Sequence, residues 1–208
     1  MKYLTRASLV AALVAAALVP VASAHGDRPA EHRAHAHRGW HGDHGPRGHF
    51  RALIFSRTAA FRHTECIPQG TVAIAQMAAR KGFEVDATEN PGAFTDENLA
   101  KYDVVIWLCT TGDVLNEDQQ AAFERYIRAG HGYVGIHSAS DTEYDWAWYG
   151  GLVGAYFRDH PGVPGVNQQF QVATIDVEDG KSEATKRLPA RWTREEEWYN
   201  FRTNPRDS

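Results

Sequence analysis

Residues 102–109, Tyr-Asp-Val-Val-Ile-Trp-Leu-Cys, constrain the fold of this chain more than any other feature. A strand wetted on one face alternates apolar and polar residues. An almost unbroken apolar run of strand length belongs in a parallel sheet covered on both sides. Phe50–Ser56 is a second run of this kind, Phe83–Thr88 alternates and reads as a more exposed strand, and Tyr133–His137 reads as another buried one. Helical patterns lie between them. The first runs from Pro68 to Lys81, with Val72, Ile74, Ala75, Ala78 and Ala79 facing inward and Gly82 ending it. The second is capped by Asn116, has Glu117 and Asp118 in its first turn, and turns Ala121, Ala122, Phe123, Tyr126 and Ile127 inward before Gly130. Two further strands are expected at 168–177 and 196–201. The alternation predicts an α/β fold, a doubly wound and mostly parallel sheet sandwiched by helices through right-handed crossovers.

The segment before this domain has a different character. Residues 1–24 have the pattern of a secretory signal peptide: Lys2 and Arg6, an apolar run from Ala7 to Val19, and a small-residue cleavage site at Ala22-Ser23-Ala24. The run is short of the roughly 20 residues a membrane span needs. The expected product is a secreted or periplasmic protein that begins near His25 and carries no membrane span. Residues 25–49 hold seven histidines among Gly, Arg and Ala without apolar periodicity, so they read as a disordered leader. Two readings of that leader stand side by side: loose Zn²⁺ or Cu²⁺ binding, or a solvated linker whose histidines protonate together in mild acid. The remaining domain, 50–208, carries 16 basic and 23 acidic residues, a net charge of −7. Such a surface lacks the basic footprint that nucleic-acid binding requires, so no nucleic-acid partner is expected. Export makes a Cys66–Cys109 disulfide chemically possible, although both cysteines flank apolar segments where a free thiol serves as a small hydrophobe.

In open parallel sheets the ligand crevice lies beyond the carboxyl ends of the strands. That rule selects the loops at 57–66, 110–115 and 138–151. Gly135-Ile136-His137-Ser138-Ala139 stands at a strand end and resembles a nucleophile elbow in which imidazole replaces Ser or Cys. His137 there can serve as general acid, general base or metal ligand, while Ser138 is a displaced nucleophile or a substrate contact. His63 at the first strand's exit, Asp141 and His137 form the candidate catalytic set. His63, His137, His160 and Glu197 form the candidate ligands of a divalent metal such as zinc, dependent on convergence in space because no compact metal motif is present. Tyr144, Trp146 and Asp113 are candidate contacts to a small carbohydrate, the aromatics through the C–H faces of a sugar ring. Trp107, inside the apolar strand, is expected in the core, and His131 beside a helix end is expected as a dipole partner.

The chain resembles the trehalose-utilization (ThuA-like) family, which has a class I glutamine amidotransferase-like fold. The resemblance rests on His63-Thr64, Tyr102–Val105, Thr111-Gly112-Asp113, Leu115-Asn116 with Gln119-Gln120, Gly135–Ala139 with Asp141, Tyr149, Gly154–Phe157, His160-Pro161 and Glu196–Phe201. It implies a role in carbohydrate metabolism, on a disaccharide or its 3-keto derivative, by acid/base or metal-assisted chemistry of the isomerase, epimerase or lyase kind. It also implies that the family's pattern continues beyond Asn204-Pro205-Arg206, so that the chain is a C-terminally truncated member. Histidine at the elbow argues against glutaminase activity, which needs a thiolate there. The alternatives are a non-catalytic carbohydrate-binding module and a hydrolase that uses Ser138.

Overall fold

The computed structural model describes residues 50–162 and 170–207. The signal-peptide and histidine-leader segments, and the first residues of the strand expected at 168–177, lie outside the described residues. Four strands, β1 (Arg51–Phe55), β2 (Glu84–Thr88), β3 (Val104–Leu108) and β4 (Gly132–Ile136), form one parallel sheet in the order β2-β1-β3-β4. Helix α1 (Cys66–Lys81) connects β1 to β2, the single-turn α2 (Asp96–Leu99) precedes β3, and α3 (Glu117–Arg128) connects β3 to β4.

Strand alternation divides the core into two layers. Ala52, Ile54, Ile106 and Leu108 turn to one face and pack with Ile67 and Ile74 of α1. Leu53, Phe55, Val105 and Trp107 turn to the other and pack with Leu99, Ala122, Phe123 and Tyr126. Trp107 is fully buried and sits between the rings of Phe55, Phe94, Phe123 and Tyr149. The apolar strand therefore occupies the doubly covered centre of an α/β sandwich.

Local chemistry fits these elements. The Asn116 side chain accepts the Gln119 N–H while the Gln119 side chain accepts the Asn116 N–H, a reciprocal cap worth about 1 kcal/mol. Gly82 ends α1 in the left-handed region at φ 77°, its N–H donating to the Ala78 carbonyl.

Several expectations need correction. The buried stripe of α1 is Ile67, Ile74 and Ala78, while Val72, Ala75 and Ala79 are exposed. The stripe is narrow because only one row of the helix meets the β1–β3 face. Ala121 is likewise exposed, one position off the seam formed by Ala122, Phe123 and Tyr126. Strand β4 is not doubly covered: it is an edge strand, and Val134 is 43% exposed. His131 needs no such correction: it stands at the end of α3, its N–H donating to the Tyr126 carbonyl at 3.4 Å and its ring stacked on Tyr126 with centroids 4.3 Å apart.

After β4 come a short 3-10 turn at His137–Asp141 and helix α4 (Ala147–Val153). Two antiparallel ribbons follow, β5 (Phe157–Asp159) with β8 (Asn200–Phe201), and β6 (Gln171–Asp176) with β7 (Arg191–Glu196). The single strand expected over 196–201 is thus divided: Glu196 ends β7, Asn200 begins β8, and Glu197–Tyr199 form the bend between them.

Candidate functional site

The loops leaving β1, β3 and β4 are laced together at one end of the sheet. Ala59 N–H donates to the Thr111 carbonyl at 2.7 Å, Gly112 N–H to the Asp141 carbonyl at 2.9 Å, and the Thr111 hydroxyl to the Phe61 carbonyl at 2.6 Å. Gly112 has φ 70°, and a Cβ there would lie 3.1 Å from the Ala60 nitrogen, so glycine meets both the backbone and the packing requirement. Glu143 braces the same region from within. Its fully buried carboxylate accepts the Val114 and Leu115 N–H groups, each at 2.8 Å, and the Gln120 amide at 2.6 Å. Burial pushes this carboxyl above the usual range while the three donors pull it back.

His137 stands at the exit of β4 with φ 55°, a left-handed conformation uncommon for a residue with a Cβ. That turn presents the imidazole at the strand's end. His63 arrives from the β1 loop, the two ring centroids 4.5 Å apart. From the bend between β7 and β8 comes Glu197, a buried carboxylate whose Oε2 lies 3.0 Å from His137 Nε2. Its Oε1 lies 3.6 Å from Nε2 of His160. Tyr199 completes the group, with its hydroxyl 3.2 Å from His137 Nε2 and its ring against those of His137 and Phe157. Imidazoles from three separate loops therefore gather around one carboxylate.

The donor atoms of His63, His137 and Glu197 all lie within 4.8 Å of one another. Two imidazoles and a carboxylate are a donor set suited to zinc and similar divalent ions, with coordination positions left for water or substrate. His160 touches the other oxygen of Glu197 and so would orient a ligand instead of joining the set. Burial and the neighbouring His137 hold the His63 imidazole below its ordinary value, against the opposing pull of Glu197 and Asp141. A neutral imidazole is the form that binds a metal. Tyr199 is driven upward by burial and by Glu197, so its phenol stays protonated as a hydroxyl donor.

A cavity of about 230 Å³ opens beside His137, lined by Gly135, Ala139, Ser140, Val153, Ala155 and Phe201 among others.

Other candidates are placed differently. Asp141 accepts the Tyr144 hydroxyl, so its carboxylate acts on His63 through space. Tyr144 is no open stacking platform, because Arg202 lies 4.1 Å over its ring and Tyr156 packs beside it. Trp146 is half-buried and stacks on Trp148 and Tyr149 against the aromatic core, so part of its ring is taken up by packing. Ser138 is 0% exposed, so its hydroxyl can neither attack nor contact a substrate in this conformation. Asp113 remains exposed on the loop that Glu143 braces. Tyr199 and Glu143 emerge from the structure alone. Tyr199 could have been singled out from its place two residues after Glu197, but an isolated Glu in a polar loop carries no local signal of burial.

The family model described as ThuA, trehalose utilisation, matches residues 51–208. A ThuA-like protein from Bacteroides uniformis is 26% identical and superposes with a TM-score of 0.65, the alignment covering 81% of this chain and 67% of that one. A ThuA-like protein from Parabacteroides merdae, 16% identical with a TM-score of 0.58, shares the fold over 74% of this chain and 63% of its own. No curated protein matches the sequence.

Proposed function

Since the chain belongs to the trehalose-utilisation (ThuA) family, we propose that it is an exported protein that transforms a carbohydrate, a disaccharide or 3-keto sugar, either by proton transfer at His137 or by metal-assisted chemistry with a divalent cation held by His63, His137 and Glu197. The observation that carries the reading is the position of Glu197, buried between His137 and His160 and beside His63.

In the metal-free reading, the carboxylate at 3.0 Å accepts the Nε2–H of His137 and so selects one tautomer, leaving Nδ1 with its lone pair. An imidazole held that way can remove a proton from carbon beside a sugar ketone and return it elsewhere, which is isomerase, epimerase or lyase chemistry. The Tyr199 hydroxyl, kept protonated, supplies a hydrogen-bond donor on the Nε2 side of the ring. In the metal-assisted reading, His63, His137 and Glu197 would instead hold the cation, which would supply polarisation of the carbonyl oxygen. The cavity beside His137 is smaller than the roughly 300–1,000 Å³ of sites that enclose whole drug-sized ligands, which suits one ring of a sugar. Burial of Ser138 speaks against the hydrolase alternative, and the covered rings of Tyr144 and Trp146 speak against a module that binds through an aromatic platform.

Zinc content of protein lacking residues 25–49, followed by turnover of a 3-keto disaccharide by wild type and His137→Ala, tests the proposal. Loss of turnover in the variant is expected on either reading, with one bound zinc where the chemistry is metal-assisted and none where it is acid/base alone. Equal turnover in the variant would remove His137 from the mechanism, and sugar binding that survives chelator without product would favour a binding module. N-terminal sequencing of the secreted product, expected to begin near His25, tests export.

A further inference from the structure

The chain contains two cysteines. Cys66 is the first residue of α1 and is half-buried, whereas Cys109 is fully buried at the end of β3 with φ 51°. Their sulfurs lie 2.7 Å apart and both are free thiols. A small movement closes that gap to a bond of about 2.05 Å. We propose that Cys66 and Cys109 are an oxidisable dithiol, a modification site that closes to an intramolecular disulfide on exchange with a small-molecule disulfide.

The pairing sits directly behind the histidine cluster. Cys66 lies in the same turn as His63, whose carbonyl accepts the Ile67 N–H at 3.1 Å. Cys109 donates its N–H at 3.2 Å to the carbonyl of Ile136, the residue before His137. A bond between the sulfurs ties the segment that carries His63 to the strand end that positions His137.

Exposure sets the order of events. Cys66 is the sulfur that an external disulfide can reach, and burial raises the Cys109 thiol and disfavours its ionised form in the closed state. The Cys66 thiolate attacks one sulfur of the small disulfide RSSR, forms a mixed disulfide and releases one RS⁻. Cys109 then attacks the Cys66 sulfur and displaces the second RS⁻, its proton passing to that departing thiolate. In sum, two protein thiols and RSSR become one protein disulfide and two RSH, the protein oxidised and the small disulfide reduced.

Oxidised glutathione added to the reduced full-length protein, followed by alkylation of remaining thiols and intact-mass analysis, tests this. The expected product has lost two hydrogens, takes up no alkylating agent, and gives one dithiothreitol-sensitive peptide linking Cys66 to Cys109. Cys109→Ser is expected to stop at a stable glutathione adduct on Cys66, and the wild-type peptide map decides the matter if that variant does not fold. Two alkylated cysteines after oxidation, a persistent glutathione adduct in the wild type, or a disulfide found only between chains would overturn the proposal.

Discussion

The carboxylate of Glu197 lies 3.0 Å from His137 Nε2 while remaining almost wholly out of solvent. A carboxylate withdrawn from water in this way needs partners, and here they include the imidazoles of His137 and, at 3.6 Å, His160. Glu197→Gln retains the shape but loses the charge that would stabilise an imidazolium at position 137. Its turnover of a 3-keto disaccharide is expected to fall by about 10²–10⁴-fold, the range for loss of positioned acid–base catalysis. Steady-state kinetics with product analysis checks it, and an unchanged kcat would show that Glu197 has no part in proton transfer.

Zinc affinity should grade the histidines by their place. His63→Ala removes a donor of the candidate metal set, whereas His160→Ala removes only a partner of Glu197. The expectation is a loss of roughly 10–100-fold for His160→Ala and a larger one for His63→Ala. Competition titration against a chromophoric chelator, on protein without residues 25–49, measures both. Equal losses would mean that the two imidazoles do not differ in role.

Glu143 is expected to matter for stability and not for contact with substrate. Replacement by Gln leaves three donors, Val114 N–H, Leu115 N–H and the Gln120 amide, facing a side chain with one acceptor oxygen. A cost of about 1–3 kcal/mol follows for the buried donor left without a partner. Urea unfolding should show a lower midpoint with an unchanged slope. A midpoint equal to that of wild type would show that the brace is dispensable.

The pH dependence of stability has a sign set by His63. Burial and His137 hold its imidazole below the ordinary value near 6.5. The unfolded chain therefore takes up a proton at this position before the folded one does. Stability is lost as pH falls through about 6.5 toward the lower, folded value, and the contribution is absent above that window. His63→Gln should flatten the profile of unfolding free energy between about pH 7 and 5.5, measured by chemical denaturation in chelator. A wild-type slope no steeper than the variant's would mean that the His63 environment is not as unfavourable to charge as its packing indicates.

Much of the scaffold was legible because it depends on local pattern. The apolar run 102–109 gave β3 its doubly covered place, and Asn116 with Gln119 marked the start of α3. Where pattern misled, a neighbour was missing or badly placed: Val134 follows the rule for a buried strand but lies at the sheet's edge, and Val72 lies outside the one row of α1 that meets the sheet. Within the site, His63, His137, His160 and Glu197 were singled out as types of residue at strand exits, and they do converge. Tyr144, Trp146 and Ser138 were singled out by the same logic and became covered. Their difference lies in packing that no local spacing reports.

Sequence alone determined the layered α/β architecture and the end of the sheet at which chemistry can collect, because hydrophobic period and strand direction are properties of contiguous residues. Tertiary structure alone decided that Glu197 meets His137, that Glu143 is withdrawn from water, and that the two thiols come within 2.7 Å. Those contacts join segments distant along the chain, and their geometry is set by how loops from different strands close on one another.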